Sequence, residues 1–174
     1  MPLPDYSYLE AGTPITWTST GGDKALTLTS KADGVGREGE KSPSLIDGSR
    51  GMPELLEIRV ESQVGSAATQ GKELEVHIGE SSNNGVGDDN PGNLTGTDAD
   101  VSNPDELKLQ CNLAGSLVFS NARGTNVQKQ RLPPYYPTCP YIIPLVVNKT
   151  GQTLGATGTN HKIVITPYYR KIAD

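Results

Sequence analysis

The side chains able to do chemistry are few and far apart. His77 and His161 each stand alone, with no second His or Cys at ligand spacing. They make no metal set, and each reads as a surface or strand-edge residue. Cys111 and Cys139 likewise have no flanking His or Cys. Two free thiols in a reducing compartment are the favoured reading, with a disulfide as the alternative. No Ser/His/Asp, Cys/His or paired-carboxylate arrangement can be drawn, so neither an enzyme nor a cofactor is expected. One acidic cluster stands out: Asp88, Asp89, Asp98 and Asp100 in a Gly/Asn-rich loop. Calcium takes such oxygens, but the spacing is not that of an EF-hand, and a series of solvated turns is the favoured reading. Gly34, Gly36 and Gly39 look like a dinucleotide fingerprint, but no helix follows them. Asn93-Leu94-Thr95 and Asn148-Lys149-Thr150 match the glycosylation pattern by chance, in the absence of a secretory signal.

These residues must be carried by a lean, turn-rich chain. Its 174 residues bound a single domain with a core of moderate size. Hydrophobic residues make up 34 %, against a usual share of about 45–50 %. The 20 glycines and 13 prolines place much of the chain in turns and loops. A net charge of −5 offers nothing to neutralise phosphates, which excludes nucleic acid as a partner. No apolar run approaches the ~20 residues that cross a bilayer, and MPLPDYSYLEAGTP has no signal-peptide pattern. The expectation is a soluble protein made in a cytoplasm.

About eight strands can be read. Tyr141 to Ile172 carries two of the clearest, Ile142–Val147 and His161–Pro167, separated by a Gly/Thr/Asn-rich connection. ITWTS (from Ile15) and ALTLTS (from Ala25) flank a Gly21-Gly22-Asp23 turn and predict a hairpin, with Leu26 and Leu28 inward and Trp17 in the core. Leu55–Val64 alternates, with Leu56, Ile58, Val60 and Ser62 on one face. Lys72–Gly79 repeats the pattern with Leu74, Val76 and Ile78 inward, which puts His77 on the solvent side. Leu107–Ser120 supplies one or two strands, and Val127–Leu132 an edge strand. Lys31–Pro53 and Ser81–Pro104 are long polar loops without periodicity. No helix of ordinary length is found, only a turn near Pro104–Leu109. Residues 1–14 hold Pro2, Pro4 and Pro14 and read as an extended arm, with residues 15–174 as the domain. Tyr6, Tyr8 and Leu9 on the arm are candidate anchors on a neighbour, because aromatic side chains serve well at interfaces. The stiff loop Pro133–Pro140 presents Tyr135 and Tyr136 as further contact candidates.

Several segments in order carry a resemblance. They are ITWTSTGGDKALTLTS with the Gly34–Gly39 stretch, NPGNLTGTDAD, LAGSLVF, PYYPTCPYIIPLVVNKTGQTL and GTNHKIVITPYYRKI. From about Ile15 to Ile172 the chain resembles the small proteins encoded beside the major capsid protein of tailed bacteriophages. Those are capsid decoration proteins, also called cement or head-stabilising proteins. The resemblance implies a jelly-roll-like β-sandwich and a homotrimer seated at three-fold positions of the shell. It also implies the phage major capsid protein as partner, and a place on the capsid exterior of the virion after synthesis in the bacterial host cytoplasm. Lys41–Arg50 and Tyr135–Tyr141 depart from the pattern. The alternative is a carbohydrate- or receptor-binding module of a virion fibre or tail, resting on Tyr135, Tyr136 and Tyr141 and on the aspartate loop.

Overall fold

The computed structural model describes residues 7–68, 71–84 and 90–172. The described strands are β1 (Ser7–Ala11), β2 (Ile15–Thr18), β3 (Lys24–Ala25), β4 (Gly36–Glu38), β5 (Leu55–Ser62) and β6 (Glu73–Ser81). They continue with β7 (Ala99–Val101), β8 (Asn112–Val118), β9 (Gln128–Arg131), β10 (Tyr141–Lys149) and β11 (Lys162–Ile172). One short helix, α1, covers Pro104–Lys108. The strands form two sheets, ordered β3-β2-β11-β5-β9 and β7-β4-β10-β6-β8, and β1 also pairs with β11. The chain is all-β, and its two sheets form a β-sandwich.

Pairing is nested. β2 lies beside β11, β4 beside β10, β5 beside β9 and β6 beside β8. The stretch from Tyr141 to Ile172 therefore supplies an interior strand to each sheet. Alternation decides which side faces inward. Leu56, Ile58 and Val60 of β5, Ile163 and Ile165 of β11, and Leu74, Val76 and Ile78 of β6 are all buried in one cluster between the sheets. Trp17 joins them, and its indole N–H donates to the Glu40 carbonyl at 2.7 Å. β10 does not alternate, because both its faces are covered. Ile142 and Val146 point into the main core. Ile143, Leu145 and Val147 pack on the other side against Leu94 and Leu107.

Several expectations change. β2 and β3 are parallel rather than a hairpin. The cause is local: the Asp23 carboxylate accepts from Thr16 N–H, and Asp23 N–H donates to the Thr16 carbonyl, so the chain crosses over instead of doubling back. Leu26 and Leu28 are buried, but they follow β3 as irregular chain. The polar segment 31–53 contains β4. Beyond it, Lys41, Ser42 and Leu45 donate backbone hydrogen bonds to Gly96, Ile142 and Pro140. Part of the proline-bounded N-terminal segment is regular. Residues 7–11 are strand, and their backbone saturates the last five residues of β11, from Tyr168 to Ile172.

Neither histidine is a surface residue. His77 does point away from the main core, but segment 90–111 covers that face and leaves the residue only 6 % exposed. Among the described residues neither ring nitrogen has a hydrogen-bond partner. Glu75 is 3.6 Å from Nε2, too far for a hydrogen bond. His161 is fully buried. Its Nε2 lies 2.9 Å from the Gly155 carbonyl, and its Nδ1 lies 2.8 Å from Ser62 Oγ. A carbonyl only accepts, so Nε2 carries the proton and Nδ1 accepts from the serine hydroxyl.

Burial lowers the pKa of both imidazoles below 6.5; Glu75 opposes the shift at His77, and the Gly155 carbonyl opposes it at His161. The unfolded chain therefore binds more protons than the folded one below about pH 6.5, and stability falls as pH drops through that value. Urea unfolding at about pH 8 and about pH 5.5 should show lower stability at the acid value, with a smaller difference in His77→Leu. An equal or larger pH difference in the variant would contradict this account of His77.

Candidate interaction surface

β5 ends opposite Tyr168, at Leu55. Residues Tyr169–Ile172 of β11 run on past it with β1 as partner. A two-stranded ribbon thus overhangs one end of the sandwich.

Its inner side is pinned down. Tyr169 is buried, and its hydroxyl donates to the Leu45 carbonyl at 2.8 Å. The Arg50 guanidinium sits 4.6 Å above the Tyr169 ring centre, within cation–π range. Arg50 also pairs with Asp47 at 2.8 Å and with Glu10 at 2.9 Å, and Lys171 reaches Glu10 at 3.2 Å. Hydrogen bonds from Arg50 and Ser49 hold the Asp47 carboxyl well below its ordinary range. The charged segment Lys41–Arg50 thus clamps the ribbon to the body.

Its other side carries Leu9, Tyr168 and Arg170, with Arg170 paired to Glu54 at 3.0 Å, while Tyr8 alternates to the side of Glu10. Tyr8 is 49 % exposed, Leu9 47 % and Tyr136 67 %. Leu9 and Leu55 line two adjoining grooves of about 370 and 230 Å³. Tyr136 and Arg170 border the first; Tyr168 and Pro134 border the second.

Tyr135 is not part of this surface, which corrects its place among the contact candidates. It is 8 % exposed. Its hydroxyl donates to Glu80 Oε1 at 2.6 Å and accepts from Asn112 Nδ2 at 2.9 Å. Burial, and then the bond to Glu80, push its phenol well above the ordinary value. Thr138 donates to the same carboxylate through its N–H and its hydroxyl. Tyr135 and Glu80 thus fix the proline-rich loop, and Tyr136 is the tyrosine it presents. Tyr6 lies outside the described residues.

The aspartate loop is held by cations of the chain itself. Arg37 Nε is 2.7 Å from Asp98, and Lys31 Nζ is 2.7 Å from Asp100. Burial would raise the Asp98 carboxyl, but bonds from Arg37 and Thr27 outweigh it and leave the pKa lowered. Asp88 and Asp89 lie outside the described residues. Among the described residues no group of three His, Cys, Asp or Glu is placed to hold a metal ion. Cys111 and Cys139 are both free thiols, and burial pushes Cys111 up to about 11, with Glu38 adding to the shift. Asn148 is buried, and its amide donates to the carbonyls of Lys31 and Gln152. No described helix is long and apolar enough to cross a membrane.

The fold defines a class: a β-sandwich scaffold, here with several large apolar side chains exposed at one end. No protein-family model, curated protein or solved structure matches the chain.

The two adjacent tyrosines should behave oppositely. Tyr135→Phe removes the buried hydroxyl that bonds Glu80 and Asn112 and should cost about 1–3 kcal/mol. Tyr136→Ala should stay within about 0.5 kcal/mol of wild type. Chemical denaturation of both variants checks this, and equal costs would contradict the assignment.

Proposed function

We propose that this is a structural virion protein that binds the outer surface of a tailed-phage capsid shell and stabilises it, as a decoration or cement protein. Its partner on this reading is the major capsid protein, and its working form is a homotrimer. The observation that carries the proposal is the ribbon end: exposed Tyr8, Leu9 and Tyr136 on a firmly clamped platform. Exposed apolar groups gathered on one rigid end suit docking on another protein. The ordered resemblance from Ile15 to Ile172 supports the same reading. So does the nested strand order, which we take as a jelly roll, with β2-β11-β5-β9 facing β4-β10-β6-β8.

The role asks little of each contact. A shell repeats one surface many times, and an oligomer that engages several sites at once gains effective concentration without new contacts. A symmetric ring needs the same face on every copy, and the ribbon end would supply it.

Co-sedimentation of the purified protein with expanded, undecorated shells of the parent phage tests the proposal. Saturation at a fixed ratio to the major capsid protein is the expected result, and shells carrying the protein should resist heat or chelation better than bare ones. No pelleting above background with properly expanded shells would overturn it.

A further inference from the structure

We propose that the connection between β7 and β8, residues 102–111, is an acid-opened flap that lifts off the sheet when His77 takes up a proton. The opening is local, leaves the sandwich beneath it intact, and does not depend on the capsid reading.

The connection is built to move as a unit. Among the described residues its backbone hydrogen bonds stay inside it. Leu107 N–H donates to the Asn103 carbonyl, Leu109 to Glu106, Gln110 to Leu107 and Cys111 to Lys108. Its ends are fixed, because residues 99–101 pair with β4 and the chain from Asn112 onward pairs with β6. Between those ends only side chains fasten it down. Leu107 is buried in one cluster with Leu145 and Val147 of β10. Lys108 Nζ reaches Glu75 of β6 at 3.1 Å, and Lys149 of β10 reaches Asp105 at 3.3 Å.

His77 sits at the Lys108 fastening. The Glu75 oxygen that holds Lys108 is 3.6 Å from His77 Nε2. Leu145 of β10 and Leu113 of β8 flank His77 in register, and neither offers an acceptor. Glu38 of β4, beyond Leu145 in the same row, is taken by Thr95 and Gly96. A proton on His77 in the closed state would therefore set an imidazolium and an ammonium around one carboxylate in a buried site. Opening removes the conflict. The imidazole gains water, and Lys108 leaves with its own counter-ion, Asp105, 3.0 Å away on the same connection.

Burial holds the closed-state imidazole below its ordinary 6.5; Glu75 opposes the shift and Lys108 adds to it. A solvated imidazole binds the proton better, so the open state gains as pH falls below about 6.5. One proton taken up between about pH 7.5 and about pH 5.5 multiplies the open population by at most about tenfold. The face uncovered is apolar: Leu145 and Val147 are both fully buried when the flap is closed.

Hydrogen–deuterium exchange of the full chain at those two pH values, normalised to the intrinsic rates, tests the flap. The expected result is protection at residues 103–111 that falls severalfold at the acid value and responds little to low urea, because a local opening exposes little surface. His77→Leu should bring the ratio between the two pH values close to one. Lys108→Met should raise exchange of the flap severalfold at about pH 7.5. Flap protection that does not change with pH in the wild-type chain would overturn the proposal, whether or not the leucine variant folds. So would a urea dependence as steep as that of the β10 interior, a full pH ratio kept by His77→Leu, or no effect of Lys108→Met.

Discussion

The architecture depends on keeping two long interior strands satisfied on both edges. β10 and β11 have no polar alternative for their backbone groups, because sheet and core enclose them. β10 meets this with β4 on one side and β6 on the other. β11 is longer than any single neighbour. It takes β5 on one side, and β2 followed by β1 on the other. The overhang of β11 past Leu55 is thus a consequence of strand length, and β1 makes it a ribbon rather than a loose tail. The apolar end of the molecule follows from that single mismatch.

A lean hydrophobic composition leaves much of the remaining order to charged and polar anchors. Glu38 is buried and accepts from Thr95 N–H at 2.9 Å, Thr95 hydroxyl at 2.6 Å and Gly96 N–H at 3.3 Å. Glu80 does the same for the proline-rich loop, and Arg37 with Lys31 for the aspartate loop. A buried carboxylate bonded to several donors is tolerated where an unpaired one would be costly. Each anchor joins residues far apart in sequence. A chain rich in Gly and Pro can therefore hold long connections in fixed positions without a large second core.

This explains what could be read from the sequence. Alternation at Leu56, Ile58 and Val60, and at Leu74, Val76 and Ile78, marks one wet and one dry face, so the strands and their inward side were legible. The wet side of β6 was misjudged at His77 because no local pattern announces that residues 90–111 fold over it. β4 was missed because three residues, Gly36-Arg37-Glu38, carry no period; their strand conformation comes from β10. β1 was taken for an arm because prolines surround it, yet its pairing is set by the far end of the chain. Tyr135 and Tyr136 are neighbours of one type, and only the tertiary position of Glu80 separates core from surface. Tyr8, Leu9 and Tyr136 are exposed, and large apolar side chains stand out in so polar a chain.

The most direct measurement is hydrogen–deuterium exchange on the protein alone and bound to expanded shells. Contact through the ribbon end predicts new protection at residues 7–11, 54–55, 134–137 and 168–172, with the interior of β10 unchanged because it is already protected. Protection confined to the opposite end of the sandwich, or to the outer face of segment 90–111, would contradict it.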